Sequence, residues 1–397
     1  VQRIPDAASA TTGAIETTMN DVNDNPNQKA DDHEPADVST DLGRRKMLGQ
    51  LLAGAKLLTG TATVTASGSL FSREEAILAA TLTHQGTAGM NVAEPDGLSG
   101  MSQFSVNWAR LNDLKKKMAT AKLGSGGIRA RTPGNTMNLS RMFIGGNLVS
   151  GWAHARDLIY VSDLVKAYHT KEKIFDTLQI SEACGMNTFL MNPALCNVVR
   201  EYREKAGGTI QFMTNCSGNT EEELLGNLQK SIDYGASSCL VQGEVGDRLV
   251  REKRFDQIAK SLELVRKNGL PAGIAAHRLE TLQACVDEGL IPDFWMKTFH
   301  SDNYWSRRPG EPECDNVFCR EPQATIDFMA QRPEPWIAFK VLAAGAIKPQ
   351  DGFRYAFEGG ADFICVGMYD FQVVDSVNIC MDVLDSPLKR TRPWRYA

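Results

Sequence analysis

Cys239-Leu-Val-Gln-Gly-Glu244, Phe255-Asp-Gln-Ile-Ala-Lys-Ser-Leu-Glu-Leu-Val-Arg-Lys-Asn268 and Ala272-Gly-Ile-Ala-Ala-His277 follow one another in the chain. The first and last are short apolar runs of strand length, and the middle one is a helical window. Gly269 stands where a helix C-cap commonly falls. A strand, a helix and a second strand joined so briefly form the unit of a parallel sheet.

The same unit repeats outward in both directions. Upstream strands are expected at Met142–Asn147, Thr188–Asn192 and Ile210–Asn215. Downstream strands are expected at Phe294–His300, Trp336–Leu342 and Phe363–Gly367. Glu221–Tyr234 is another helical window, and Gly185, Gly235, Gly289 and Gly360 each precede a strand. Eight alternations of this kind predict an α/β chain folded as a (β/α)8 TIM barrel, with a poorly structured N-terminal extension.

In such a barrel the loops after the strands build the active site. His154 and His169 follow the first strand, while His277 and His300 end the fifth and sixth. The period of two along a strand then sorts side chains. Ile337, Phe339 and Val341 form an apolar set expected to meet the outer helices, which turns Ala338 and Lys340 inward. The same reasoning places Asn192, Asn215, Gln242, Glu244, His277 and Lys297 at the inner mouth. Two lysines and a glutamate buried without partners would cost several kcal/mol each. A ring of ionisable and amide groups at that end therefore reads as a site.

Composition narrows the partners. The chain has 397 residues, 42% of them hydrophobic and 23% charged, and a formal net charge of −5. These are values of a globular protein. No basic stripe speaks for nucleic acid, and Lys115–Lys117 reads as a solvated helix face. No apolar run is long enough for a membrane span. The expected partner is a small-molecule substrate, and the sequence assigns no oligomeric state. Of nine cysteines, most fall inside expected strands or helices, whereas Cys314 and Cys319 share a loop. That pair has the makings of a disulfide or of metal ligands.

Residues 1–43 are rich in Asp, Asn, Thr and Ala and are expected to be a disordered leader, with Met19 an alternative start. Gly43-Arg44-Arg45-Lys46-Met47-Leu48 precedes a mildly apolar run from Leu51 to Ala66. Segment 44–66 resembles a twin-arginine export signal, which implies an exported or periplasmic protein. Lys56 interrupts its apolar run, and the alternative is a short amphipathic helix of a cytoplasmic protein. Residues 67–120 form an N-terminal extension and 121–397 the barrel.

Residues 121–385 resemble the aldo/keto reductase family. Lys122-Leu-Gly-Ser-Gly-Gly-Ile128 is similar to its opening hairpin, and Ile144-Gly-Gly-Asn147 to its first barrel strand. Cys184-Gly-Met-Asn187 and Ala338-Phe-Lys-Val-Leu-Ala-Ala-Gly345 are similar to segments around its second and seventh strands. Cys365-Val-Gly-Met-Tyr-Asp370, with Asn378 beyond, resembles its cofactor-phosphate loop. The resemblance implies an NADP-dependent oxidoreductase, with Gly367, Met368 and Asn378 at the cofactor. The family's catalytic Asp, Tyr, Lys and His are not matched. Leu190-Met-Asn-Pro193, Thr214-Asn215 and Gln242 or Glu244 stand in their regions, and Tyr369 stands where a basic residue is expected near the cofactor.

Several chemistries stay open on the residues. Glu244, His277 and His300 end three successive strands and are the right types for a divalent-metal site, with Asp302 as a fourth ligand. Such a site would serve an isomerase, lyase or hydrolase. Lys297 or Lys340 with His277 would replace the missing acid pair of a reductase. A lysine in a barrel strand also suits Schiff-base chemistry, and a non-catalytic binding protein would retain the barrel alone. The expected catalytic set is His277, Lys297, Lys340 and Glu244. Around it, Trp152, His154, Arg156 and Asp157 follow strand one, and Tyr304, Trp305, Arg307 and Arg308 lie in the long loop after strand six. Aromatic faces and guanidinium forks of this kind suit a substrate with sugar-like or anionic groups. The reading is a barrel enzyme acting on a small polar carbonyl compound, sugar-derived compounds being one class.

Overall fold

A computed structural model describes residues 108–124, 136–152, 158–307 and 316–395. The leader, the twin-arginine-like segment, residues 67–107 and the side chains of His154, Arg156, Asp157, Arg308 and Cys314 lie outside the described residues.

A hairpin of β1 (Thr120–Gly124) and β2 (Thr136–Ser140) precedes eight parallel strands. These are β3 (Met142–Gly145), β4 (Thr188–Met191), β5 (Gln211–Cys216), β6 (Ser238–Val241), β7 (Ala272–Ala276), β8 (Phe294–Thr298), β9 (Trp336–Phe339) and β10 (Phe363–Val366). They pair in chain order, and β10 returns to β3, with Ile364 opposite Met142, to close the barrel. Every strand expected from the sequence is present. Gln242, Glu244, His277, His300 and Lys340, expected at strand ends, instead leave the sheet as the loops begin.

The helices of the outer layer begin with α1 (Val161–Tyr168), α2 (Lys171–Ala183) and α3 (Cys196–Ala206). Next come α4 (Glu221–Asp233), α5 (Gly243–Arg251), α6 (Phe255–Lys267) and α7 (Leu279–Asp287). The last are α8 (Pro322–Ala330), α9 (Pro349–Glu358) and α10 (Val373–Asp385). Among the described residues no helix is long and apolar enough to cross a membrane. Local chemistry sets the helix ends. Thr220 caps α4 by accepting from the Glu223 amide. Gly269 follows α6 at a φ of 72°, a conformation in which a side chain would be strained. Between β6 and β7 the chain makes two helices, α5 and α6, and α5 packs against β7.

Two apolar shells hold the barrel. Phe189, Phe212, Ile274, Trp295, Trp336 and Ile364 face the helices. Phe143, Leu190, Met213, Leu240, Phe294, Met296, Ile337 and Phe363 fill the interior. Each large side chain so buried contributes roughly 2 kcal/mol. Ala121, Leu123, Met137 and Leu139 of the hairpin join the inner cluster and plug the barrel at the end where β3 begins. Among the described residues, the opposite end, where the strands finish, is the one without such a plug.

At the plugged end Asp362 is fully buried. Its carboxylate accepts from Arg392 at 2.6 Å, from the Trp336 amide at 3.0 Å and from the Arg395 amide at 2.8 Å. On the outside, Trp108–Lys116 lies along α10. Arg110 pairs with Asp375 at 2.6 Å, Lys115 with Asp382 at 2.8 Å and Lys116 with Asp385 at 2.9 Å. Lys115 and Lys116 thus sit on a solvated face, but not that of a helix: they follow the short helical turn Trp108–Asp113 and strap that segment to α10.

The interior assignment from periodicity needs one correction. Leu190, Met213, Leu240 and Ala275 belong to the inner cluster, which agrees with the inward placement of Asn192, Asn215, Gln242 and His277 on the same parity. On β8 and β9 the parity is the reverse of that expected. Met296 and Ile337 point inward, whereas Ala338 lies in the outer cluster, and Lys297 pairs in register with Ala276 and Ala338 of that outer set. The barrel interior is itself packed with large apolar residues, so Ile337 and Phe339 mark the inside and not the helix side.

Candidate active site

A cleft of about 530 Å³ opens at the ends of β5, β6 and β7. Its walls come from the Ser217–Asn219 loop, from Gln242, Glu244 and Asp247 at the start of α5, from His277 and Arg278 after β7, and from Trp152 after β3. Arg248 ties two walls together by donating to the carbonyls of Gly218 at 2.6 Å and Asn219 at 3.2 Å. Arg251 and Arg278 also line the cleft, and neither guanidinium makes a hydrogen bond or ion pair with the described residues.

His277 and Asp247 are the centre of this site. Asp247 Oδ2 accepts from the His277 backbone N–H at 3.0 Å and lies 3.1 Å from His277 Nδ1. Asp247 Oδ1 accepts from Thr281 Oγ1 at 2.7 Å and from the Arg278 amide at 3.3 Å. Burial pushes the Asp247 carboxyl up, but the bonds from His277 and Thr281 and the nearby imidazole bring it below its ordinary value. An anionic carboxylate at Nδ1 holds the proton there and leaves Nε2 with its lone pair. Nε2 has no partner among the described residues, and the side chain is 32% exposed against 10% for Asp247. The ring rests 5.6 Å from Phe339, tilted by 57°.

The expected metal set is not assembled. His300 is 1% exposed and its ring is fully engaged. Nδ1 lies 2.7 Å from the Ser301 carbonyl, and Nε2 accepts from the amides of Phe318 and Cys319, both at 3.0 Å. With that lone pair shared by two backbone donors, His300 has none for a metal. Burial lowers its pKa to about 4, so it is a neutral tether for the loop after β8. Among the described residues no group of three His, Cys, Asp or Glu side chains is arranged to hold a metal ion. Glu244 lies in the first turn of α5, exposed, and Asp302 is exposed after His300.

The lysines also move. Lys297 turns away from the interior, 2% exposed, and donates to the carbonyls of His277 at 2.7 Å and Thr298 at 3.0 Å. Lys340 takes a left-handed φ of 58°, which breaks the strand alternation. Its ammonium lies 3.8 Å from the centre of the Phe318 ring. Lys297 is thus held by backbone carbonyls, and Lys340 lies over an aromatic ring.

The remaining expected residues divide. Trp152, Gln242 and Glu244 line the cleft with His277. Asn192 caps a short turn by accepting from the Ala194 amide at 2.9 Å. Asn215 Oδ1 is buried at the mouth without a partner among the described residues. Tyr304 donates to the Asn316 carbonyl at 2.8 Å and so pins its loop, Trp305 is 88% exposed, and Arg307 is half-buried. At the cofactor positions, Met368 packs in the outer shell and Gly367 is exposed. Asn378 bonds Asp113 and Lys115 of the strap, both at 2.8 Å, away from the barrel mouth. His169 is buried against Tyr369, ring centres 5.2 Å apart. Cys319 is a free buried thiol.

Sequence reading missed Asp247, Thr281, Arg251 and Arg278. The signal for Asp247 was present: an acid on the buried side of a helix that opens directly after a strand.

No family model matches the sequence, and no curated protein matches it. Solved structures do resemble the fold. A protein of Pseudomonas aeruginosa assigned as an aldo-keto reductase is 15% identical with a TM-score of 0.48, covering 68% of this chain and 98% of that one. A truncated 3-deoxy-D-arabino-heptulosonate 7-phosphate synthase of Thermotoga maritima is 10% identical with a TM-score of 0.39, covering 68% and 93%. A soluble mutant of the (S)-mandelate dehydrogenase of Pseudomonas putida is 11% identical with a TM-score of 0.40, covering 72% and 84%. Likeness at these values assigns neither a family nor a reaction, and the barrel rests on its own strand order.

Proposed function

We propose that this chain is a barrel enzyme that moves a proton on a small polar carbonyl compound, with His277 as general acid–base and Asp247 as the carboxylate that orients it. The observation that carries this reading is the 3.1 Å contact of His277 Nδ1 with Asp247 Oδ2, which leaves Nε2 as the open nitrogen of a partly exposed imidazole. An imidazole held in that tautomer takes a proton at Nε2 and returns it there, while the carboxylate at Nδ1 stabilises the charged ring in between. Removing a proton beside a carbonyl puts negative charge on the carbonyl oxygen, which needs donors. The first-turn amides of α5 and the Arg278 guanidinium are the donors at this end of the cleft. Arg251 offers a second fork to a carboxylate or phosphate on the same compound, and Gln242 an amide to a hydroxyl.

Solvent exchange tests the reading without knowledge of the product. The protein is incubated in D2O with a panel of 2-oxo acids, hydroxy-carbonyl compounds and sugar phosphates, and deuterium entry beside the carbonyl is followed by NMR. Exchange with at least one compound is expected, lost in His277→Gln and slowed roughly 100-fold or more in Asp247→Asn. Parallel incubations contain NADPH. Cofactor oxidation that depends on His277, without exchange, would replace this reading by carbonyl reduction. Exchange that survives in His277→Gln would remove His277 from the chemistry.

A further inference from the structure

We propose that Lys297 is a positioning residue for His277, gripping the peptide that joins His277 to Arg278 from the side opposite Asp247, so that the imidazole keeps one tautomer and one orientation. The inference rests on the assignment of His277 as the acid–base group and deepens it.

The peptide unit between His277 and Arg278 is held at both ends. Its carbonyl accepts from Lys297 Nζ at 2.7 Å and from Thr298 Oγ1 at 2.9 Å. Its N–H, that of Arg278, donates to Asp247 Oδ1 at 3.3 Å. One amide plane thus stands between a buried cation and a buried anion. A cation at the oxygen and an anion at the N–H polarise the amide in the same sense, and each strengthens the other's bond. The same carboxylate then reaches the His277 ring through its other oxygen. Lys297 and the imidazole are therefore joined through one peptide and one carboxylate, and only Nε2 is left outside the network.

A lysine here is not a packing residue. Lys297 is 2% exposed and forms no ion pair with any described carboxylate. Burial lowers its pKa, with Cys319 and Asp247 opposing that. A buried cation without a contacting anion is costly, and an apolar side chain of similar length would fill the space at less cost. What the ammonium supplies and an apolar chain does not is a set of hydrogen bonds to carbonyls at the base of the catalytic loop, those of His277 and Thr298. Its orientation away from the interior excludes it from touching a substrate, so its role acts through His277.

The test reads the imidazole directly by 15N NMR of histidine-labelled protein, with His277→Gln assigning the signal. In the wild type the neutral ring is expected as a single Nδ1–H tautomer. In Lys297→Met, with the fold checked by circular dichroism, a mixture of tautomers is expected, a change that loss of packing alone would not produce. A folded Lys297→Met with the wild-type tautomer and titration curve overturns the proposal. A wild-type measurement needs no variant: the amide of the exposed residue Arg278, in the two-residue turn between β7 and α7, should exchange with D2O as slowly as the core amides of β7. Exchange at the rate of freely solvated amides overturns the grip on this peptide. Failure of the function is distinguishable, because solvent exchange surviving in His277→Gln would leave both NMR results unchanged.

Discussion

Gly243 lies directly beneath His277. A Cβ placed on Gly243 would come within 3.0 Å of His277 Cε1 and 3.1 Å of Nδ1, tighter than ordinary contact. The first residue of α5 is therefore the floor on which the imidazole turns toward Asp247, which projects from the same helix.

Gly243→Ala should displace the ring from the carboxylate while leaving both functional groups present. A misplacement of this order costs about 100-fold in a positioned proton transfer, and overpacking about 1–3 kcal/mol of stability. The outcome is checked by the solvent-exchange rate and a melting curve. A variant that exchanges at the wild-type rate would show that the ring position is not set here.

His300 links stability to pH. Its folded pKa of about 4 lies below the ordinary 6.5, because burial disfavours the imidazolium. The native state therefore binds fewer protons than the unfolded chain between these values. The stabilisation is present in full above about pH 6.5 and is lost as pH falls toward 4, a difference of about 3 kcal/mol. His300→Gln should be less stable at pH 7.5 and show a shallower loss between pH 6.5 and 4.5, measured by urea unfolding at each pH. Parallel pH dependences in the two proteins would mean that His300 does not carry this linkage.

The barrel was legible because eight apolar runs and their intervening helical windows repeat with little interruption, and the glycines that end the helices mark the boundaries. Gly269 shows the mechanism: a left-handed residue ends α6 just before β7. The site was legible only in part. His277 and Gln242 sit where alternation puts them, since β6 and β7 are regular. Lys297 and Lys340 do not, because Ile337 and Phe339 fill an interior as apolar as the outer shell, so hydrophobicity alone could not tell the faces apart. His300 looked like a ligand because residue type says nothing of the two backbone amides that take its lone pair. Asp247 escaped notice because its partner lies thirty positions away, a pairing made by the barrel and not by local spacing.

Backbone strain is stored in the loop after β9. Ala343 has a φ of 45° and Ala344 a φ of 55°. That left-handed region costs an L-residue roughly 1–2 kcal/mol. Ala344 is exposed, so its side chain contributes little packing. Ala344→Gly should raise stability by about 1 kcal/mol, less the entropy that glycine adds to the unfolded chain. Chemical denaturation measures this, and a lower midpoint would show that the alanine methyl group makes a contact worth more than the strain.

Asp362 is the anchor of the closed end, and its removal separates stability from function. Arg392 is 3% exposed and faces the carboxylate at 2.6 Å, and Arg390 approaches it at 3.5 Å. Asp362→Ala leaves these guanidinium groups buried without a counter-charge, and also strips the acceptor from the Trp336 and Arg395 amides. Breaking a buried pair from one side costs about 3–5 kcal/mol, which for a barrel of this size corresponds to a fall of roughly 10 °C in Tm. The hairpin plug and the Asp362 network lie at the end of the barrel opposite His277, so the folded variant should exchange deuterium at the wild-type rate at room temperature. Calorimetry and the exchange assay on one sample decide the matter. A variant with unchanged Tm would show that the arginines find other partners, and one that is stable but inactive would show that the two ends of the barrel are coupled.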